Sequence, residues 1–157
     1  MGSAVVSVFL AVPAAVADPL PGYDLDPAVL EQRMTACMEY RVPEQETLMG
    51  WVSFRDGAQR YWRCSSLRHM MLDRDDREGG NIHNPYVNVA DFMRCADEVV
   101  THGFPRPGNR PGNIKLIKQY NGTASRGIAV INESTGDVAT IYTEPRDDDW
   151  TACANAL

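Results

Sequence analysis

Apolar positions along this chain switch between the helical period and the two-residue period of strands, and the switches delimit its elements. Leu30, Met34 and Cys37, continued by Arg41, recur at helical spacing. Asp26 is placed to cap that helix, Pro27 suits its first turn, and Pro43 stops it. Residues 51–55 and 61–64 are rich in aromatic and β-branched side chains, and Asp56-Gly57 between them predicts a β-hairpin. Ser65 or Ser66 then caps a short helix through Leu72. Residues 73–86 have no period and form a long charged loop. The strongest helical stripe runs from an Asn88 cap through Val89, Phe92, Met93, Ala96, Val99 and Val100. His102 falls in its last turn and Gly103 where a C-cap glycine belongs. After a proline- and glycine-rich connector, residues 114–120, 127–131 and 138–142 read as strands, with turns at Asn121-Gly122 and Thr135-Gly136-Asp137. The tail, with Trp150 and Cys153, is expected to fold back on the body. The fold class is therefore α+β: N-terminal helices and a hairpin followed by a small antiparallel β-meander.

The amino-terminal pattern changes what counts as the folded object. Residues 5–12 form an apolar run, and Ala15-Val16-Ala17 follows as a small-x-small cleavage site. The run is far shorter than the ~20 residues that cross a bilayer, so residues 1–17 are expected to be a signal peptide. The Lys or Arg that usually precedes such a run is absent. Residues 18–157 are then a single secreted α+β domain, long enough to bury about two thirds of its unfolded surface. No membrane association is expected once the signal is cleaved.

Export gives the cysteines a meaning. Cys37, Cys64, Cys95 and Cys153 are an even set with no Cys-x-x-Cys, which points to two disulfides rather than a zinc or redox motif. Four cysteines allow three pairings. Cys37–Cys64 with Cys95–Cys153 is favoured, because each closes a moderate loop and the second ties down the tail.

Charge narrows the function. The net charge of −6 argues against a general nucleic-acid-binding surface. Residues 102–143 run against that balance, with Arg106, Arg110, Lys115, Lys118 and Arg126 facing only Glu133 and Asp137. The acidic loop around Asp73, Asp75, Asp76 and Glu78 fails the calcium-loop spacing, since Glu78 stands where glycine is needed. His69, His83 and His102 have no ligand spacing, and no Gly-x-Ser-x-Gly is present. No metal and no cofactor is expected. Asn121-Gly122-Thr123 and Asn132-Glu133-Ser134 match the N-glycosylation pattern, at turns where asparagine is favoured in any case.

One group of residues could work on RNA. Cleavage through the 2′-hydroxyl needs a base for its proton, an acid for the leaving oxygen and cations or donors around the phosphate. His102, Lys118 and Thr140 are the candidate catalytic residues, and Lys115, Arg126 and Tyr142 the candidate substrate contacts. Thr140 and Tyr142, two apart on a strand, point the same way. A helix ending in His-Gly, followed by a sheet containing GIAVINESTGDVATIY (residues 127–142), resembles the bacterial toxin ribonucleases of the barnase, colicin D and RelE-like group. The resemblance rests on Thr135-Gly136 followed by Val138-Ala139-Thr140-Ile141-Tyr142. It covers about 40 residues and implies an active site on a short antiparallel sheet.

Two functions compete. A ribonuclease-like toxin domain requires His102, Lys118 and Thr140 to converge in one positive pocket, with RNA as the partner. A non-catalytic secreted binding, inhibitory or cell-surface interaction protein requires them to scatter. Exposed aromatics such as Trp51, Tyr61 and Trp62 would then form an apolar patch for a protein partner. An inhibitor would use a protruding loop, for which residues 73–86 qualify.

Overall fold

A computed structural model describes residues 25–71, 83–146 and 148–156. The signal-peptide region and most of the charged loop, including Asp73, Asp75, Asp76 and Glu78, lie outside the described residues. The elements run α1 (Pro27–Met38), β1 (Thr47–Val52), β2 (Gln59–Arg63), α2 (Cys64–Met71), α3 (Val89–His102), β3 (Phe104–Pro107), β4 (Asn113–Gln119), β5 (Arg126–Asn132), β6 (Val138–Glu144) and α4 (Trp150–Asn155). A turn of 3₁₀ helix at Pro85–Val87 precedes α3. The architecture is α+β, with an antiparallel hairpin β1-β2 and a separate antiparallel sheet in the order β3-β4-β5-β6.

The organising element is α3. Its Asn88 cap accepts the Asp91 amide, and Phe92, Met93, Cys95, Ala96, Val99 and Val100 are buried along its inner side. That side packs on β4 and β5. Leu116, Ala129, Ile131 and Ile141 meet it from the sheet, and all belong to one core with the α1 residues Leu30 and Met34. Helix and strand approach so closely at Gly127 that a β-carbon there would lie 2.4 Å from the Val99 Cγ2 atom. The core is finished by an aromatic run, with Trp62 and Trp150 on either side of Phe92 at ring separations of 5.1 and 5.0 Å. The Trp150 indole donates to the Asn84 carbonyl at 3.0 Å, which satisfies its polar end.

The disulfides are Cys37–Cys64 and Cys95–Cys153, the favoured pairing. The first joins α1 to the start of α2. The second joins α3 to α4 directly over Gly127.

Several local expectations change. The proline-rich connector contributes a fourth strand, β3, because its alternate residues still pair with β4 despite two prolines. The tail folds back as a helix, capped by the Asp149 carboxylate. Gly103 ends α3 with φ −58°, so it is not needed for a left-handed cap. Glycine is required there by crowding, since a β-carbon would sit 2.3 Å from the Val99 carbonyl oxygen. Trp51 and Trp62 are buried rather than part of a surface patch, because inward positions of a twisted hairpin face the core. Among the described residues no helix is long and apolar enough to cross a membrane, and no cluster of His, Cys, Asp and Glu has metal-binding geometry.

Asp91 links α3 to α4. Its carboxylate accepts from the Thr151 hydroxyl at 2.6 Å and from Asn88 at 2.7 Å, and pairs with Arg94. The Thr151 hydrogen bond and the Arg94 guanidinium hold its pKa below the usual carboxylate value, outweighing burial. A lowered folded pKa means that stability is gained in full above the unfolded value of ~3.9 and lost as pH falls through the folded value. Asp91→Asn is therefore expected to flatten the acid limb of a stability-versus-pH curve below about pH 4; an unchanged limb would contradict this. Replacing Cys95 and Cys153 by alanine, which opens a loop with a sequence separation of 58, is expected to cost about 4 kcal/mol in urea denaturation.

Candidate functional site

The inner face of the sheet is occupied by α3, so alternation sends the intervening residues to the outer face. On β4, Leu116 packs against Gly103 at the end of α3. Asn113, Lys115 and Ile117 consequently point outward. Register then builds one outer row across all four strands: Arg106 opposite Lys115, Lys115 opposite Val130, and Val130 opposite Thr140. The next row is Phe104, Ile117, Ile128 and Tyr142.

β6 carries an irregularity at this point. Val130 pairs with Thr140 while the following Ile131 pairs with Val138, leaving Ala139 as the extra residue. Bulges of this kind re-aim side chains. Here Ala139 and its neighbour Thr140 both line the same cleft.

The opposite wall of that cleft is α2. Its position is set from α1: the buried Arg68 guanidinium donates to the Cys37 carbonyl at 2.7 and 3.2 Å, pairs with Glu44 and stacks over Tyr40. The Cys64 and Ser65 amides donate to the Glu46 and Glu44 carbonyls. With Leu67, Arg68 and Met70 buried, Ser65 and His69, one turn apart, are left on the exposed side. Asn109 and Arg110 close one end from the β3–β4 loop, where Gly112 adopts φ +77°.

The result is a cleft of about 520 Å³ lined by α2 (Ser65, Ser66, His69), the loop (Asn109, Arg110) and the outer sheet face (Asn113, Lys115, Val130, Ala139, Thr140, Tyr142). None of these residues is a carboxylate. Two cations, an imidazole, four hydroxyls and two amides converge, a donor set suited to an oxyanion. Thr140 is 6% exposed, and its hydroxyl has no hydrogen-bond partner among the described residues. The oxygen is itself buried, and buried hydroxyls are ordinarily paired, so it is an unsatisfied polar group in the wall beside the cleft. Tyr142 is braced from behind by the buried His83 ring, stacked at 5.2 Å. The His83 Nδ1 atom lies 3.7 Å from the Asp148 carboxylate. Asp148 holds φ +61° and accepts the Asn84 amide, so the brace includes a strained backbone.

The expected site is thus brought together only in part. Lys115, Thr140 and Tyr142 line the cleft. Lys118 lies on the inner side, where its ammonium is 3.4 Å from Glu98 of α3. His102 is beside the same carboxylate at 4.0 Å and stacks on Phe54. The sheet stands between these two residues and Thr140. Arg126 shares the outer face but pairs with Glu144 at 2.7 Å, four residues along β5 from Val130. His69 and Arg110 line the cleft but are not among the site residues expected from the sequence. The usable signal for His69 was its one-turn spacing from Ser65 on the polar side of a short helix; that this side faces a sheet is a tertiary fact.

Compared with protein families, curated proteins and solved structures, the chain matches none of them. The chemistry of the cleft is therefore read from its own residues. Thr140→Val removes a hydroxyl that has no hydrogen-bond partner among the described residues while keeping the shape of the side chain. It is expected to leave the urea midpoint unchanged or slightly raised; a loss above about 1 kcal/mol would show that the hydroxyl is structurally paired.

Proposed function

We propose that this is an exported ribonuclease-like protein that cleaves RNA in the cleft between α2 and the outer face of the sheet. The observation that carries the reading is a cleft whose lining, among the described residues, gathers Lys115, Arg110 and His69 beside the unpaired Thr140 hydroxyl and includes no carboxylate. In a protein of net charge −6, such a concentration of donors selects an anion. The two hydroxyl residues of the strand that carries the toxin-ribonuclease resemblance, Thr140 and Tyr142, are among its lining, which supports the same reading. The disulfides accord with an oxidising destination.

The convergence of His102, Lys118 and Thr140 expected of a ribonuclease does not occur, so the reading rests on a different set, in which His69 takes the role expected of His102. The His69 imidazole takes the proton of the RNA 2′-hydroxyl, whose oxygen bonds to the adjacent phosphorus as the bond to the 5′ oxygen breaks. The Lys115 ammonium gives a proton to that leaving oxygen. Arg110, Thr140 and Tyr142 bear on the phosphoryl oxygens as their charge builds. The products are a 2′,3′-cyclic phosphate and a 5′-hydroxyl, with every proton accounted for.

The test is incubation of the oxidised protein with RNA, with separation of the products by size and end group. His69→Ala is expected to lower the rate by about 10²- to 10⁴-fold. His102→Gln, on the far side of the sheet, is expected to leave it unchanged. The absence of cleavage by the wild-type protein would overturn the proposal. Full activity in His69→Ala would overturn the assignment of the base.

A further inference from the structure

The outer row that ends at Thr140 begins at Arg106 on the edge strand, and the adjacent row that ends at Tyr142 begins at Phe104. Phe104 is 55% exposed. The Arg55 guanidinium lies over its ring at 3.7 Å and is itself fixed by donating to the Gly103 carbonyl at 3.0 Å. An exposed aromatic ring braced by an arginine is an incomplete stack, with one face taken and the rest open to solvent. From this ring to the cleft the exposed charge is cationic, through Arg106 and then Lys115 and Arg110. Glu133, on the β5–β6 turn, lies beside the β3–β4 loop, where its amide donates to the Gly112 carbonyl.

We infer that Phe104 is a base-stacking platform for single-stranded RNA whose phosphate occupies the cleft, an inference that rests on the ribonuclease reading. Three strand spacings separate Phe104 from Tyr142, about 14 Å across the sheet, so the base on the platform belongs to a neighbouring nucleotide rather than to the one being cut. Aromatic rings joined to a basic track accept unpaired bases of any sequence, because every base has a stacking face. A duplex keeps its bases stacked on one another and cannot offer one. A protein strand is a poor competitor for this edge. Gly108 donates to the Asn113 carbonyl, so alternate residues Phe104 and Arg106 turn their backbone groups to β4, and Pro105 and Pro107, which have no amide hydrogen to give, turn theirs to the open edge.

The test measures binding in a His69→Ala background, so that RNA stays intact, using one labelled oligonucleotide as a single strand and as a duplex. The single strand is expected to bind more tightly. Adding Phe104→Leu, which keeps an apolar side chain, is expected to weaken single-strand binding by about 5- to 100-fold, with little effect on the duplex. Phe104→Trp is expected to retain the affinity and to show quenching of the new indole when RNA binds. Unchanged single-strand affinity in Phe104→Leu, or a duplex bound as tightly and equally sensitive to it, would overturn the platform. If the wild-type protein still cleaves RNA in that case, the ribonuclease reading survives alone. No binding and no cleavage of any RNA would remove both.

Discussion

The seating of α3 on one face of the four-stranded sheet governs the rest of this molecule. Val99 meets the sheet at Gly127, a residue with no side chain to hold the helix away, and Cys95 is bonded to Cys153 above the same point. Once this face is filled, the pleat leaves each strand no choice about its alternate residues. Leu116 and Lys118 go inward or to the inner rim, while Lys115, Thr140 and Tyr142 go outward. The outer cleft is thus a consequence of the inner packing. A one-residue slip of any strand would exchange its polar and apolar rows and lose both.

The second wall depends on a different anchor. α2 has only eight residues, too few to be stable by itself. It is held by the Cys37–Cys64 bond, by its first amides on the preceding chain, and by Arg68 on the end of α1. A buried guanidinium is costly unless its donors are used, and here they meet the Cys37 carbonyl and Glu44. The neighbouring His69 is therefore presented from a fixed backbone, as the proposed proton-transfer role requires.

Electrostatics complete the arrangement by segregation. The cations outside the cleft are largely engaged: Lys118 with Glu98, Arg126 with Glu144, Arg63 with Asp137 and Arg60 with Asp56. Arg110 and Lys115 stand in a lining without carboxylates. A concave surface of one charge sign concentrates its field on an anion of the opposite sign, even when the whole protein is acidic.

The apolar periods were enough to reveal the helices around Leu30 and Phe92, the hairpin and the last three strands, because burial on one side of an element imprints its own repeat on the chain. Cysteine spacing favoured the pairing that the structure has. The β3 strand was obscured because its prolines contradict strand propensity, and an edge strand tolerates them only where no donor is needed. The α4 helix was obscured because six residues carry too short a period to read. Of the expected residues, Lys115, Thr140 and Tyr142 line the cleft, and the shared side of Thr140 and Tyr142 was legible from alternation along one strand. His102 and Lys118 were grouped with Thr140 because they are near it in sequence, and sequence distance says nothing about which side of a sheet a residue occupies. His69 was invisible for the converse reason. Local sequence determined which residues face inward and which face out; only the tertiary structure decided that the outward side of α2 and the outward side of β6 face each other, because that depends on contacts between elements far apart in the chain.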